Sequence, residues 1–206
     1  MVAPMLRVLT LSTLFPDASR PNFGIFVERQ TLSLAERGDV EVRVVAPCGI
    51  PAWPLSRLAR YRPLLDLPER ERWKGLQTRR PAFRTLPGTG GRFHAAALER
   101  ALAPVLDEIR REFAFDLIAA EYFFPDGPAA VALGRRFGVP VSIAARGSDI
   151  HFWAHAPGAA GKVVAAGRAA DGMVAVCEAM RDDMIALGMP GERIDSLLKR
   201  ADEALY

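Results

Sequence analysis

The segment Arg146-Gly147-Ser148-Asp149, directly after the apolar run VSIAA, has the residue types best suited to chemistry. Arginine grips phosphate or carboxylate, and an aspartate can orient or deprotonate a sugar hydroxyl. The same letters fit a structural role equally well, with Ser148 or Asp149 capping a helix and Arg146 in a surface ion pair. A second segment, FGIFVERQ, puts Gly24 at the mouth of a helix. There a backbone N–H can approach a phosphate and the helix dipole favours an anion. A plain helix entry accounts for Gly24 as well, since the segment is neither GxGxxG nor a P-loop. The third segment is Tyr122-Phe123-Phe124-Pro125-Asp126-Gly127. Its aromatics can line a sugar pocket and Asp126 can bond hydroxyls; the favoured reading makes Asp126 a helix cap and the aromatics core.

Other chemistries find little support. His151 and His155 are four residues apart, but no HExxH glutamate or third ligand accompanies them, so no metal site is expected. Cys48 and Cys177 stand outside any CxxC or Cys/His cluster and read as buried free thiols. No GxSxG or Ser/His/Asp set is recognisable.

The elements that must position these residues follow a clear rhythm. LRVLTLST, VEVRVVA, DLIAAE, VPVSIAA and GMVAV are short apolar runs of the kind that form buried parallel strands. Between them lie helical patterns at 24–37, 92–113, 126–138, 159–170 and 178–188, two of them closed by Gly38 and Gly138. Residues 74–83 read as one strand-like stretch with the preceding tryptophan, WKGLQTRRPAF. Strands alternating with helices in this way predict an α/β fold, a Rossmann-like parallel sheet with helices on both faces. Ligands of such sheets bind at the carboxyl ends of the strands, the edge to which RGSD and Gly24 belong.

Composition narrows the class further. The chain has 206 residues, 50% hydrophobic and 25% charged, with a net charge of +3, enough for one well-filled domain. No basic run interleaved with aromatics points to nucleic acid. No stretch is long and apolar enough for a membrane span, and no signal-peptide pattern opens the chain, so the expected compartment is the cytoplasm. Residues 50–74 interleave Trp53, Leu55, Leu58, Tyr61, Leu64 and Leu65 with Arg57, Arg60 and Arg62. Such a segment suits peripheral contact with the inner face of an anionic membrane. It also suits an irregular loop whose apolar side is tucked onto the domain.

Taken in order, FP…PNFGIFVERQTLSLAERGDVEVRVVAP, EYFFPDGPAAVALGRRFGVPVSIAARGSDI and ADGMVAVCEAMRDDMIALGMPGERI resemble the N-terminal domain of glycosyltransferase family 4. The likeness is to the subgroup of cell-surface polysaccharide and teichuronic-acid-type synthesis, and it covers about residues 5–194. It implies one half of a GT-B fold, in which this domain mainly receives the acceptor and a second domain holds the nucleotide-sugar donor. It also implies retention of anomeric configuration and no cofactor or metal, the nucleotide sugar being a substrate. By motif position Gly24 approaches the donor diphosphate, with Gly147 and Ser148 in the loop at the reaction centre. Many relatives have a histidine before that glycine. Here the position is Arg146, which leaves Asp149, with Arg146, as the catalytic candidates. The implied partners are a glycan or lipid-linked acceptor and the donor domain, which this chain is expected to lack.

After PGERI the chain reads DSLLKRADEALY, where the family continues toward its donor domain. Residues 195–206 resemble the last helix of GGDEF-type diguanylate cyclase domains, with Asp195 as cap and an apolar stripe of Leu197, Leu198, Ala201 and Leu205. Domain boundaries of 1–194 and 195–206 are expected, and the chain by itself is expected to be inactive. The alternatives are a non-catalytic glycan- or partner-binding module and a free-standing Rossmann-like nucleotide binder.

Overall fold

The computed structural model describes residues 5–197. Strand β1 (Leu6–Leu11) leads through a long loop to helix α1 (Ile25–Ala35) and strand β2 (Val40–Val45). After Pro47 the chain forms β3 (Cys48–Pro51), two single 3-10 turns, the short helix α2 (Arg62–Leu65), and strands β4 (Arg70–Trp73), β5 (Leu76–Arg79) and β6 (Ala82–Thr85). Helix α3 (His94–Glu112) carries it back to β7 (Leu117–Ala120). Then come α4 (Asp126–Phe137), β8 (Val141–Ala144), α5 (Ser148–His151), α6 (Ala160–Ala169), β9 (Gly172–Ala175), α7 (Glu178–Ala186) and β10 (Ile194–Ser196).

Eight strands form one sheet in the order β10-β9-β8-β7-β1-β2-β5-β4, parallel throughout except for the β4–β5 hairpin. Alternation along β1 splits the core. Leu9 and Leu11 point to the face covered by α3 and α4, where Leu98, Leu102, Leu106 and Ile109 recur at helical spacing. Val8 points to the other face, packed with Val27 of α1 and with Val40, Val42 and Val44 of β2. Helices therefore cover both faces, as a parallel sheet with two apolar sides requires.

Three local features differ from the sequence expectation. The stretch 73–83 is a hairpin followed by a separate strand. Lys74 and Gly75 both have positive φ (46° and 92°), which supports a tight turn whose twist suits antiparallel strands. The strand expected at 40–46 ends at Val45, and a further strand pair that the sequence did not announce follows Pro47. β3 and β6 pair in parallel beyond β2 and β5, so this pair extends past the carboxyl edge of the main sheet. The third concerns the expected tail helix. Ile194, Asp195 and Ser196 align with Met173, Val174 and Ala175 as the edge strand β10, so Asp195 is a strand residue and not a helix cap. Residues 198–206 of that tail lie outside the described residues.

Candidate functional site

The chain leaves β1 towards β2 and β5 on one side and returns to β7 on the other. The carboxyl ends of β1 and β7 thus meet at the point where strand order reverses, where open α/β sheets leave a crevice for ligands. The loop after β1, the loop after β7 and the RGSD turn after β8 converge there. Gly24 heads α1 on the same edge, because Arg146 reaches that helix. One Nη donates to Gln30 Oε1 at 2.8 Å, and the guanidinium lies 5.3 Å from the Phe26 ring.

Gly24 is held by sterics. Its φ is 65°, and an added Cβ would fall 2.3 Å from Leu14 O, so no other residue fits. Its carbonyl receives Val27 N at 2.9 Å, starting α1. The helix terminus behind it presents the backbone N–H groups that such ends leave for an anion. Gly147 differs. Its φ of 123° also demands glycine, but a Cβ there would meet nothing within 4 Å, so the space over this peptide is open.

The side chains of the RGSD turn are mostly spent on the fold. Asp149 is fully buried, with Oδ1 accepting from Gly147 N at 2.8 Å, Arg146 N at 3.0 Å and Ile150 N at 3.1 Å. Its Oδ2 accepts from Phe123 N at 2.9 Å in the loop after β7. With its oxygens bonded to backbone donors and out of contact with solvent, Asp149, expected as a catalytic candidate that orients or deprotonates a hydroxyl, has the surroundings of a positioning residue. Arg146 is likewise engaged: Nε donates to Glu121 O at 3.2 Å and Nη2 bonds the Glu121 carboxylate, with both side chains nearly buried. Its charge is compensated within the domain and not displayed to a ligand. Ser148 remains exposed, and its Oγ lies 2.7 Å from Tyr122 Oη.

Asp126 is the other departure. It is the first residue of α4 and makes no capping bond to that helix. Its Oδ2 instead accepts from Thr13 N at 2.8 Å, tying the loop after β1 to the start of α4, while Oδ1 has no partner among the described residues. Burial raises its pKa to about 7 against the Thr13 hydrogen bond, helped by the negative charge of Asp149 and Glu121. Glu121 is also pushed upward by burial, with Arg146 opposing. Tyr122, Phe123 and Phe124 are all buried, as expected, with the Tyr122 hydroxyl reaching Ser148.

The sequence reading missed two acidic groups. Glu121 ends the buried run DLIAA at the reversal point, and a carboxylate closing an apolar strand was the signal. Glu28 is buried on α1 and accepts from Lys74 Nζ at 2.8 Å and from Trp73 Nε1, anchoring α1 to the hairpin. Those bonds outweigh burial and hold its carboxyl below the usual range. His151 Nε2 sits 3.0 Å from Asp183 Oδ2. Cys48 is buried, which raises its thiol pKa and leaves it a packing residue.

Comparison with known proteins agrees with this geometry. Residues 24–197 match the family described as glycosyl transferase 4-like domain, and the chain belongs to that family. Over 152 residues it is 28% identical to TuaC of Bacillus subtilis (strain 168), whose name assigns it to teichuronic acid biosynthesis as a glycosyltransferase. The match takes in 73% of this chain and 38% of that protein, so the chain spans well under half of its relative. Among solved structures, Anabaena Alr3699/HepE in complex with UDP and glucose superimposes with a TM-score of 0.55 at 14% identity, covering 93% of this chain and 44% of that one. UDP-GlcNAc 2-epimerase from Neisseria meningitidis gives 0.53 at 12% identity, covering 93% and 46%. The epimerase from Methanocaldococcus jannaschii gives 0.55 at 10%, covering 94% and 45%. At these identities the likeness concerns the fold.

Proposed function

We propose that this domain is the acceptor-side half of a GT-B-type sugar transferase, acting with a second domain that binds a nucleotide-sugar donor. The acceptor is a glycan or a lipid-linked sugar of cell-surface polysaccharide synthesis. The observation that carries the reading is the convergence at the β1–β7 reversal of three loops clasped by Asp126, Asp149 and the Arg146–Glu121 pair. Loops held this firmly present their remaining groups in fixed positions, which is what alignment of two reactants demands. The relatives' greater lengths, and the UDP in the name of a structural neighbour, support the division of labour.

In this reading Gly24 places the α1 terminus against the donor diphosphate, and the open peptide of Gly147 with the Ser148 hydroxyl faces the acceptor sugar. Arg146 and Asp149 position that loop. One helix terminus supplies roughly 0.3–2 kcal/mol, while micromolar affinity needs about 8 kcal/mol. The chain alone therefore binds nucleotide sugars weakly and turns none over. Amide NMR during titration with nucleotide sugars and, separately, with oligosaccharide acceptors tests this. Acceptor-induced shifts should centre on Gly147 and Ser148, and donor-induced shifts on Gly24 at millimolar concentration. Micromolar nucleotide binding, or shifts confined to the amino edge of the sheet, would defeat the assignment.

A further inference from the structure

The segment between β3 and β4 is not tucked onto the domain. Trp53 is 71% exposed, and Leu55, Leu58 and Leu65 are exposed beside it, joined by Leu86 just after β6. A cleft of about 230 Å³ lies between Leu65, Ile50, Phe83 and Arg84, so the two ends of this surface adjoin. Exposed apolar side chains usually occur singly; a group of five around one strand pair marks an interaction surface.

The charges around it are unbalanced. No acidic residue occurs between Glu41 and Asp66. Arg57, Arg60, Arg62 and Arg84 are exposed, and among the described residues none of them lies in a salt bridge, Arg60 resting only over the Tyr61 ring. Elsewhere among the described residues some arginines pair with carboxylates, as Arg37, Arg79 and Arg136 do, and others such as Arg100 and Arg135 do not; what sets this surface apart is that its unpaired arginines lie beside exposed apolar side chains. A tryptophan with leucines inside a ring of uncompensated arginines matches a lipid interface, where the rings sit at headgroup depth and the guanidinium groups meet phosphates. None of the described helices is long and apolar enough to cross a bilayer.

We propose that this surface docks the domain on a bilayer containing anionic lipids. β3 and β6 carry it beyond the carboxyl edge of the sheet, so docking brings the β1–β7 crevice to the membrane, where a lipid-linked acceptor would reside. That last consequence rests on the function proposed above; the docking itself does not.

Flotation with vesicles of phosphatidylcholine, alone or mixed with phosphatidylglycerol, tests the docking without any sugar transfer. The chain should float with the mixed vesicles, stay down with the neutral ones and be released by salt. Replacing Arg57, Arg60 and Arg62 together by glutamine should weaken binding by about a hundredfold, roughly fivefold per arginine. Trp53→Ser should abolish the blue shift of tryptophan emission on vesicle addition. Circular dichroism of both variants checks the fold, and their exposed positions predict unchanged spectra. Failure to bind anionic vesicles overturns the proposal and leaves a protein surface, such as a second domain, as the occupant. Equal binding by the arginine variant, or an unchanged blue shift in Trp53→Ser, overturns it as well.

Discussion

Asp126 offers the most direct test of how the crevice is held. Its pKa of about 7 in the folded protein stands against a reference of 3.8. Between these values the folded state keeps a proton that the unfolded chain has lost. Stability is therefore lost as pH rises through this window. A shift of about 3 units corresponds to ~4 kcal/mol in full, of which ~2–3 kcal/mol falls between pH 5 and 8. Asp126→Asn removes the titration, and its amide oxygen can still accept the Thr13 N–H. The variant should be close to the parent at acid pH and progressively more stable towards pH 8, with a Tm advantage growing by roughly 5–10 °C. Thermal melts of both proteins at several pH values give the difference curve directly, and effects of other groups that titrate independently cancel. A difference independent of pH, or one that grows toward acid pH, would refute the burial argument.

Other substitutions probe the same edge. Asp149→Ala leaves three backbone N–H donors, those of Phe123, Arg146 and Gly147, without their acceptor and should cost about 3–5 kcal/mol in chemical denaturation; a loss under 1 kcal/mol would return Asp149 to the chemical candidates. Arg146→Ala strands the Glu121 carboxyl and should destabilise by about 3–5 kcal/mol at neutral pH. Adding Glu121→Gln should recover most of that loss, and an additive double variant would show that the pair is not coupled. Gly24→Ala meets Leu14 O and a positive φ together, so its cost should exceed ~2 kcal/mol in the same assay.

The βαβ rhythm was legible because each strand is an apolar run and each helix carries its own periodicity, information local to a few residues. The site edge followed from topology. What sequence could not supply was the fate of polar side chains, which depends on partners far along the chain. Arg146 finds Glu121 25 positions away and Gln30 116 away, and Asp126 finds Thr13 at a distance of 113. A carboxylate in RGSD reads equally as reagent or clasp until Phe123 N is seen against it. The edge strand β10 was missed for a related reason: IDS has no apolar alternation of its own and is defined by pairing with β9.

The electrostatics of the crevice also argues for how its ligands are divided. Glu121, Asp126 and Asp149 are three buried acids with Arg146 as the cation engaged among them. When all are ionised this cluster carries a net charge near −2, and low-dielectric surroundings screen it poorly. A diphosphate set over β7 and β8 would be repelled, and its approach would push Asp126 further toward its neutral form. A sugar acceptor carries no such penalty, because its hydroxyls can donate to oxygen acceptors at the exposed rim, where Ser148 and Tyr122 already form a hydrogen-bonded pair. The positive end of α1 lies across the reversal, behind Gly24, with Arg29 exposed on the same helix. Phosphate on the α1 side and hydroxyls on the β8 side is therefore the arrangement of lower energy. In the proposed function the bond to be broken then lies over the peptide of Gly147, where an added Cβ would meet nothing within 4 Å.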